Sequence, residues 1–303
     1  MPRILKFIAY LVLFVVSFFL FLYWMFPYEI LKDRVAGAIE EPLGRAVEVS
    51  IGGLKPYYFT GVSISQLTIT SRSAGESRPL IEFEKVRARA SLFSLLIGSP
   101  SFSFFIQSGK GEIEGSTRQT EEGFDISVDL DNFDVNSIKW LESQSGLKLA
   151  GRLSGSIDLK IDRLRPVRTT GKIDLSFDDF KVAASQITVG EVNIPIPDAV
   201  LTKGKGSRRK LSIDKGAVNV DEFRFADGDL QLDVKGKIFL STVLSNYRLN
   251  LTGTFRVSDK LSEAFPLLFM AEKQKQPDGS YPLAVTGRFS EPSIKIGTFT
   301  LPL

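Results

Sequence analysis

The chain has 303 residues, and 38 Lys plus Arg against 35 Asp plus Glu give a net charge of +3, too small by itself to indicate a polyanionic partner. It contains no His and no Cys, which excludes Ser-His-Asp and Cys-His relays and the usual zinc, haem and iron–sulfur sites. Chemistry based on carboxylate, Lys, Tyr or Ser side chains remains open, and an envelope hydrolase that uses carboxylates is the alternative. We expect instead a protein that is not an enzyme and that has no catalytic residues, metal site or cofactor.

The N-terminal part begins with a long apolar segment. Residues 7–26 read FIAYLVLFVVSFFLFLYWMF and contain no charge. About 20 helical residues span a hydrocarbon core of about 30 Å, so residues 1–27 are predicted to form a cytoplasmic tip and a transmembrane anchor. The alternative is a cleaved signal peptide, whose apolar region is shorter and ends in small residues, which are absent here. The residues chosen to mark the anchor are Phe7, Phe14, Phe18, Phe19, Tyr23 and Trp24.

Charges at the start of the chain predict its orientation. Arg3 and Lys6 precede the apolar segment, whereas a balanced set of charges follows it. The positive-inside bias then keeps the N-terminus in the cytoplasm and exports nearly all the rest. In a Gram-negative cell this means the inner membrane with the bulk of the chain in the periplasm. This topology argues against a nucleic-acid partner.

The next segment, 28–45, is predicted to be a juxtamembrane helix. Leu31, Val35, Ala38 and Ile39 recur at spacings of three and four, which is typical of an amphipathic helix. Such a helix either lies on the membrane surface or caps the end of a sheet, and the sequence leaves both alternatives open.

Residues 46–303 change to a period of two, which is typical of antiparallel strands with one apolar and one hydrated face. We predict a mainly β fold: a curved, largely antiparallel sheet shaped as a groove or taco, in one unit or in two halves of about 46–150 and 151–303. Short helices are expected at 91–97, 134–143 and 259–273. The clearest alternation gives the candidate apolar groove face, namely Ile157, Leu159, Ile161, Leu230, Leu232, Val234, Tyr247, Leu249 and Leu251.

Two further patterns lie within the β region. Glycine followed by a polar and an apolar residue recurs at Gly151, Gly171, Gly236, Gly253 and Gly287, which indicates either sheet bending or ordinary hairpin turns. The basic run 203–210 (KGKGSRRK) lacks the spacing of a phosphate-binding loop and is interpreted as a solvated hairpin tip.

The order of these parts resembles the bacterial type II secretion system protein N family (GspN). The resemblance rests on the anchor, then EVSIGGLKPYYFTGVSISQLTIT, SLFSLLIGSPSFSFFIQSGKGEIEGS, a short helix leading into LKLAGRLSGSIDLKID, and DGSYPLAVTGRFSEPSIKI. The last two segments also resemble AsmA-type modules, which are curved antiparallel sheets with an apolar concave face. No catalytic signature defines either family.

The resemblance implies a non-enzymatic, inner-membrane-anchored periplasmic component of the type II protein secretion system that acts through contacts with other envelope proteins. The AsmA-like alternative is a groove protein of the envelope that binds or transfers lipid. Membrane association and partner proteins of the secretion machinery are expected under the first hypothesis, and phospholipid is the expected ligand under the second.

Overall fold

The computed structural model describes residues 2–25, 28–43, 47–58, 60–73, 76–139, 142, 146–189, 192–204, 208–241, 246–264 and 271–300. Strands dominate this part of the chain, and most of them belong to one sheet. The strands are β1 (Val47–Tyr57), β2 (Gly61–Ser73), β3 (Glu76–Ala90), β4 (Ser101–Ser108), β5 (Gly111–Gln119), β6 (Gly123–Asp134), β7 (Lys148–Asp162), β8 (Thr170–Ala183), β9 (Ser185–Val189), β10 (Val192–Ile196), β11 (Ala199–Val200), β12 (Arg208–Asp214), β13 (Ala217–Phe225), β14 (Leu230–Phe239), β15 (Arg248–Val257), β16 (Tyr281–Arg288), β17 (Glu291–Ile296) and β18 (Phe299–Thr300).

The large sheet is an antiparallel meander that runs through the chain almost in sequence order. β1 to β8 pair with their neighbours, β12 then pairs with β8, and β13 to β18 continue the series. Between β8 and β12 the chain forms a separate hairpin of β9 and β10, while β11 pairs with β8. The predicted mainly β, curved and antiparallel architecture is confirmed, and the sheet is unclosed. The division into two halves stays a prediction.

The helices are few, and most are short. They are α1 (Pro2–Met25), α2 (Tyr28–Leu43), α3 (Leu92–Leu96) and α4 (Asp259–Ala264). The helix expected at 91–97 is thus present as α3, whereas 134–143 contains a 3₁₀ turn at Val135–Ser137 and residues 140–141 and 143 lie outside the described part. In the segment expected to be helical at 259–273, α4 is present and residues 265–270 lie outside the described part.

Register explains why the sheet has two different faces. One row of directly paired residues, read from β3 to β17, contains Ala88, Phe104, Gly115, Val128, Ile157, Ile173, Leu211, Val220, Gly236, Leu251, Val285 and Ile294. The adjacent row, one residue away on every strand, contains Arg89, Ser103, Ser116, Ser127, Asp158, Lys172, Ser212, Asn219, Lys237, Asn250, Thr286 and Ser293. Because neighbouring residues of a strand point to opposite faces, one face is apolar and the other polar across the whole sheet.

Left-handed residues inside strands keep the apolar pattern on one face where its spacing changes from two to three. Such a residue precedes the second member of each of three apolar pairs. The left-handed residues are Gln66 (φ 55°), Asn132 (φ 49°) and Asp179 (φ 48°), and the pairs are Ile64 and Leu67, Leu130 and Phe133, and Phe177 and Phe180. An extra residue of this kind bends a strand and increases its twist. Sheet bending was expected at glycines alone, so the sequence interpretation missed these positions.

Gly236 is one of the recurring glycines for which bending does require glycine. Its φ is +143°, and a Cβ built on it would collide with the carbonyl oxygen of Asn250 on β15. The close approach of two backbones on the apolar face therefore excludes any larger residue here.

Helix α2 covers one edge region of the sheet. Leu31, Val35 and Ile39 pack on a buried cluster that includes Ile51 of β1. The Glu40 carboxylate accepts a hydrogen bond of 2.7 Å from the backbone N–H of Val49, which blunts the free edge of β1. The sequence left open a helix on the membrane surface and a helix that caps the end of a sheet; α2 packs against the cluster of β1 and β2, and contact with the membrane surface stays a prediction.

Candidate functional site

The two ends of the sheet differ, and we name them by what lies there. The rim end is where β1–β2, β3–β4, β5–β6, β7–β8, β12–β13, β14–β15 and β16–β17 connect, and the filled end is the opposite one. Two of the three buried apolar clusters of the described residues, centred on Phe180 and Tyr281, lie at the filled end, and the third, which includes Ile51, extends along β1 and β2. Among the described residues, α2 covers the apolar face at the third cluster, and the segments that contain Val135 and Leu201 cover it at the cluster of Phe180.

The nine residues predicted to form the apolar groove face lie in or beside three strands. The structure places Ile157, Leu159 and Ile161 on β7, Leu230, Leu232 and Val234 on β14, and Leu249 and Leu251 on β15, with Tyr247 one residue before β15. Val234 is buried and the other eight are half-buried. The register puts them on the same apolar face, but β7 and β14 are separated by β8, β12 and β13.

An aromatic cluster fills the apolar face near the ends of β8 and β13. Phe177 and Phe180 lie 5.0 Å apart between ring centroids, and Phe225 of β13 lies 5.9 Å from Phe177. Leu201 and Val135 complete the buried cluster. Since β12 lies between β8 and β13, this contact requires the sheet to curve towards its apolar face here.

Arg209 lies inside this cluster. Its side chain is fully buried at 0% exposure, and its guanidinium carbon lies 4.0 Å from the Phe225 ring centroid and 4.9 Å from that of Phe177. Burial lowers the pKa of Arg209 to about 10, while Asp178 and Glu222 act in the opposite direction. The interpretation of 203–210 as a solvated tip is therefore wrong at Arg209, because a cation packed against two aromatic rings can be buried where an isolated one cannot. Residues 205–207 lie outside the described part.

A strap, residues 199–204, crosses the filled end. The buried Thr202 hydroxyl accepts from the N–H of Phe180 and donates to the carbonyl oxygen of Phe177, at 2.9 and 3.1 Å. Asp229 accepts from the N–H of Val200 at 3.0 Å and from the Ser258 hydroxyl at 3.2 Å. The Val200 bond is the main reason why the pKa of Asp229 is lowered.

The rim end is the opposite in character. Among residues whose side chains the structure describes, every large apolar side chain that is exposed outside α1 lies there. We name this set the apolar rim: Tyr58, Leu92, Phe93, Leu95, Leu96, Ile97, Phe102, Leu164, Val167, Phe239 and Phe289. Exposed apolar side chains concentrated at one end of a sheet indicate an interaction site.

A cavity of about 1050 Å³ opens at the rim end on the polar face. Polar-face side chains of seven strands line it, namely Arg89, Ser101, Ser103, Ser116, Arg118, Asp125, Ser127, Asp158, Lys160, Lys172, Ser212 and Asp214. Tyr58, Leu92 and Phe102 of the apolar rim border it. Because cationic and anionic side chains both face it, the cavity suits a polar or zwitterionic group better than a simple anion. Sequence reasoning treated these residues only as the hydrated face of strands and missed the cavity.

The anchor residues lie on α1. Phe7, Phe14 and Phe18 are exposed, and the side chains of Phe19, Tyr23 and Trp24 are outside what the structure describes. Judged by length and apolar character together, no helix among the described residues qualifies as a membrane span. The same part of the chain also contains no group of three or more Asp or Glu positioned to hold a metal ion.

Comparisons with known proteins give no relative: no family model, no curated protein and no solved structure matches this chain.

Proposed function

We propose that the protein is a non-enzymatic, inner-membrane-anchored component of the type II secretion system that acts in the periplasm through contacts of its curved sheet with other envelope proteins. The observation that carries the proposal is the sheet itself, an unclosed antiparallel meander with one hydrated and one apolar face. The segments that carry the family resemblance include, in chain order, the strands β1–β2, β4–β5, β7 and β16–β17 of this sheet and the helix α3 before β4. Such a sheet offers extended surface for partners.

The anchor belongs to this proposal and rests on the sequence. Helix α1 has 24 residues, and the run from Phe7 to Met25 within it carries no charge. A helix of that length spans about 36 Å, although no described helix qualifies as a span and position 26 lies outside the described residues. We give the uncharged run more weight, because several of its large side chains are exposed, including Phe14 at 68% and Phe21 at 65%.

A clean deletion tests the proposed pathway. In the bacterium that encodes the protein, we expect loss of released secreted enzymes with unchanged synthesis inside the cell, restored by the full chain. A matched pair of complementing variants, Ile157→Asp on the apolar face and Asp158→Asn on the polar face, separates folding from surface effects, since only the first buries a charge. Normal release in the deletion strain would refute the secretion role.

The apolar face favours a second candidate, an AsmA-like lipid-binding groove. The supporting observation is the apolar row from Ala88 to Ile294, most of which is half-buried and which no described segment covers between the filled end and the apolar rim. A surface twelve strands wide, from β3 to β17, has room for an acyl chain, whose burial contributes about 0.8 kcal/mol per methylene.

Mass spectrometry of lipids that co-purify with the full chain tests this candidate. We expect bound phospholipid, reduced by Leu159→Gln on the apolar face and unchanged by Lys160→Gln, its neighbour on the polar face. Equal lipid content in both variants would show that the lipid comes from the membrane annulus alone and would exclude the groove.

A further inference from the structure

Helix α3 buries a polar residue and exposes its apolar residues, the reverse of an ordinary surface helix. Ser94 is buried, its hydroxyl donates to the carbonyl oxygen of Ser91 at 2.8 Å, and the N–H of Ser101 donates to it at 3.0 Å. The apolar residues point outwards instead: Phe93 is 74% exposed and Leu96 is 85% exposed. A surface helix normally buries its apolar side and hydrates its polar side, so α3 is built for an apolar environment outside the protein.

A second connection at the rim end also exposes an apolar side chain. In the β7–β8 connection the buried Asp162 accepts from the N–H groups of Leu164 and Arg165 at 2.9 and 2.8 Å, which fixes the turn. Leu164 projects from it with 85% exposure. The carboxylate thus forms an ordinary Asx turn, and the turn leaves Leu164 exposed.

Charge indicates what the two connections meet. Residues 91–100 (SLFSLLIGSP) contain no charged residue, and residues 163–168 (RLRPVR) contain Leu164, Val167 and three arginines, one of which, Arg168, forms an ion pair with Glu122 at 3.7 Å. Apolar side chains flanked by arginines match the two layers of a bilayer surface, acyl chains below and anionic phosphates above. A protein partner would instead need a groove shaped to receive eleven side chains spread along one end of the sheet.

We propose that the apolar rim docks on a phospholipid bilayer: Phe93, Leu96 and Leu164 enter the acyl region, while Arg163 and Arg165 contact headgroup phosphates. The inference rests on the proposed function for the presence of a membrane beside the sheet. It adds a second membrane contact, made by the folded sheet, to the helical anchor. It also brings the cavity that Tyr58 and Leu92 border to the lipid headgroup layer.

The absence of Cys makes a direct test clean. Phe93→Cys, Leu164→Cys and, as a control at the filled end, Lys110→Cys are labelled with an environment-sensitive fluorophore in the full chain. Each is reconstituted into phosphatidylcholine–phosphatidylglycerol vesicles that contain nitroxide-labelled lipid. We expect a shift of emission to shorter wavelength and loss of intensity at 93 and 164, and neither at 110.

The possible results separate this inference from the anchor. If the chain floats with the vesicles and resists carbonate extraction but the labels at 93 and 164 behave like the one at 110, the anchor stands and rim docking is refuted. If the chain does not float, both are refuted. Labels that stay hydrated in vesicles but are protected in native membranes would indicate a protein partner and also refute docking on lipid. In pure phosphatidylcholine we expect weaker quenching, because the arginines lose their anionic partners.

Discussion

The same strands form the filled end and the rim end, but apolar side chains are buried at the filled end and exposed at the rim end. At the filled end the strap and the segment after β6 cover the apolar face, and even Arg209 is fully buried there. At the rim end, short connections such as the one that contains α3 expose apolar side chains. The alternating pattern of the strands fixes only the face of each residue. The connections decide whether that face is covered, and so they determine where the molecule is stable and where it can bind.

The largest expected effect comes from the aromatic cluster. Phe225→Ala at the filled end should lower the free energy of unfolding by about 3–5 kcal/mol, because it leaves a cavity next to Phe177 and Phe180. Phe93→Ala at the rim end is the matched control and should change it by no more than about 0.5 kcal/mol. Denaturant unfolding in detergent measures both, and similar losses in the two variants would break the contrast between the ends.

Two substitutions of Arg209 separate the contribution of its packing to stability from the contribution of its charge. Arg209→Ala should destabilise by about 2–4 kcal/mol because it removes the side chain packed against two aromatic rings. Arg209→Leu should cost less than about 1 kcal/mol, since an apolar residue of sufficient volume replaces a buried cation without a desolvation penalty. The difference between their unfolding midpoints is the measurement. A leucine variant as unstable as the alanine variant would mean that the charge itself is required.

Gly236 is expected to contribute to stability through its backbone conformation. Gly236→Ala is expected to destabilise by about 1–3 kcal/mol, because it places a Cβ at a positive φ and against the Asn250 carbonyl. Gly53→Ala is the control, since its nearest neighbour outside the adjacent residues is 4.0 Å away. Thermal unfolding compares the two. An unchanged melting temperature for Gly236→Ala would show that the bend does not depend on this residue.

The smallest effect is a pH dependence at the strap. The pKa of Asp229 is lowered in the fold, so its ionised form stabilises the folded state above the unfolded pKa of about 3.9, and this contribution disappears as pH falls through the folded pKa. Because the carboxylate is partly hydrated, Asp229→Asn should cost only roughly 1 kcal/mol at pH 7. The stabilities of the two proteins should converge below about pH 4. A difference that is constant with pH would point to packing instead.

Much of the fold was predictable, because strict alternation at Ile157–Ile161 and Leu249–Leu251 has only one structural interpretation. The helix at α3 was also predictable from its composition. The left-handed residues Gln66, Asn132 and Asp179 were not, since a change of spacing from two to three is also produced by a turn. The burial of Arg209 and the cavity on the polar face depend on curvature, which brings together residues far apart in the chain, and no local pattern records that.

The most direct test compares the accessibility of the apolar face at its two ends. Leu159→Cys, towards the rim end, and the volume-conserving Val234→Cys, buried further towards the filled end, give single thiols on the same apolar face of a chain without Cys. The reaction rate with a bulky apolar maleimide is measured for the folded full chain in detergent, with the unfolded chain as reference. We expect rapid reaction at 159 and strong protection at 234. Equal rates at the two positions would contradict the difference in covering between the two ends.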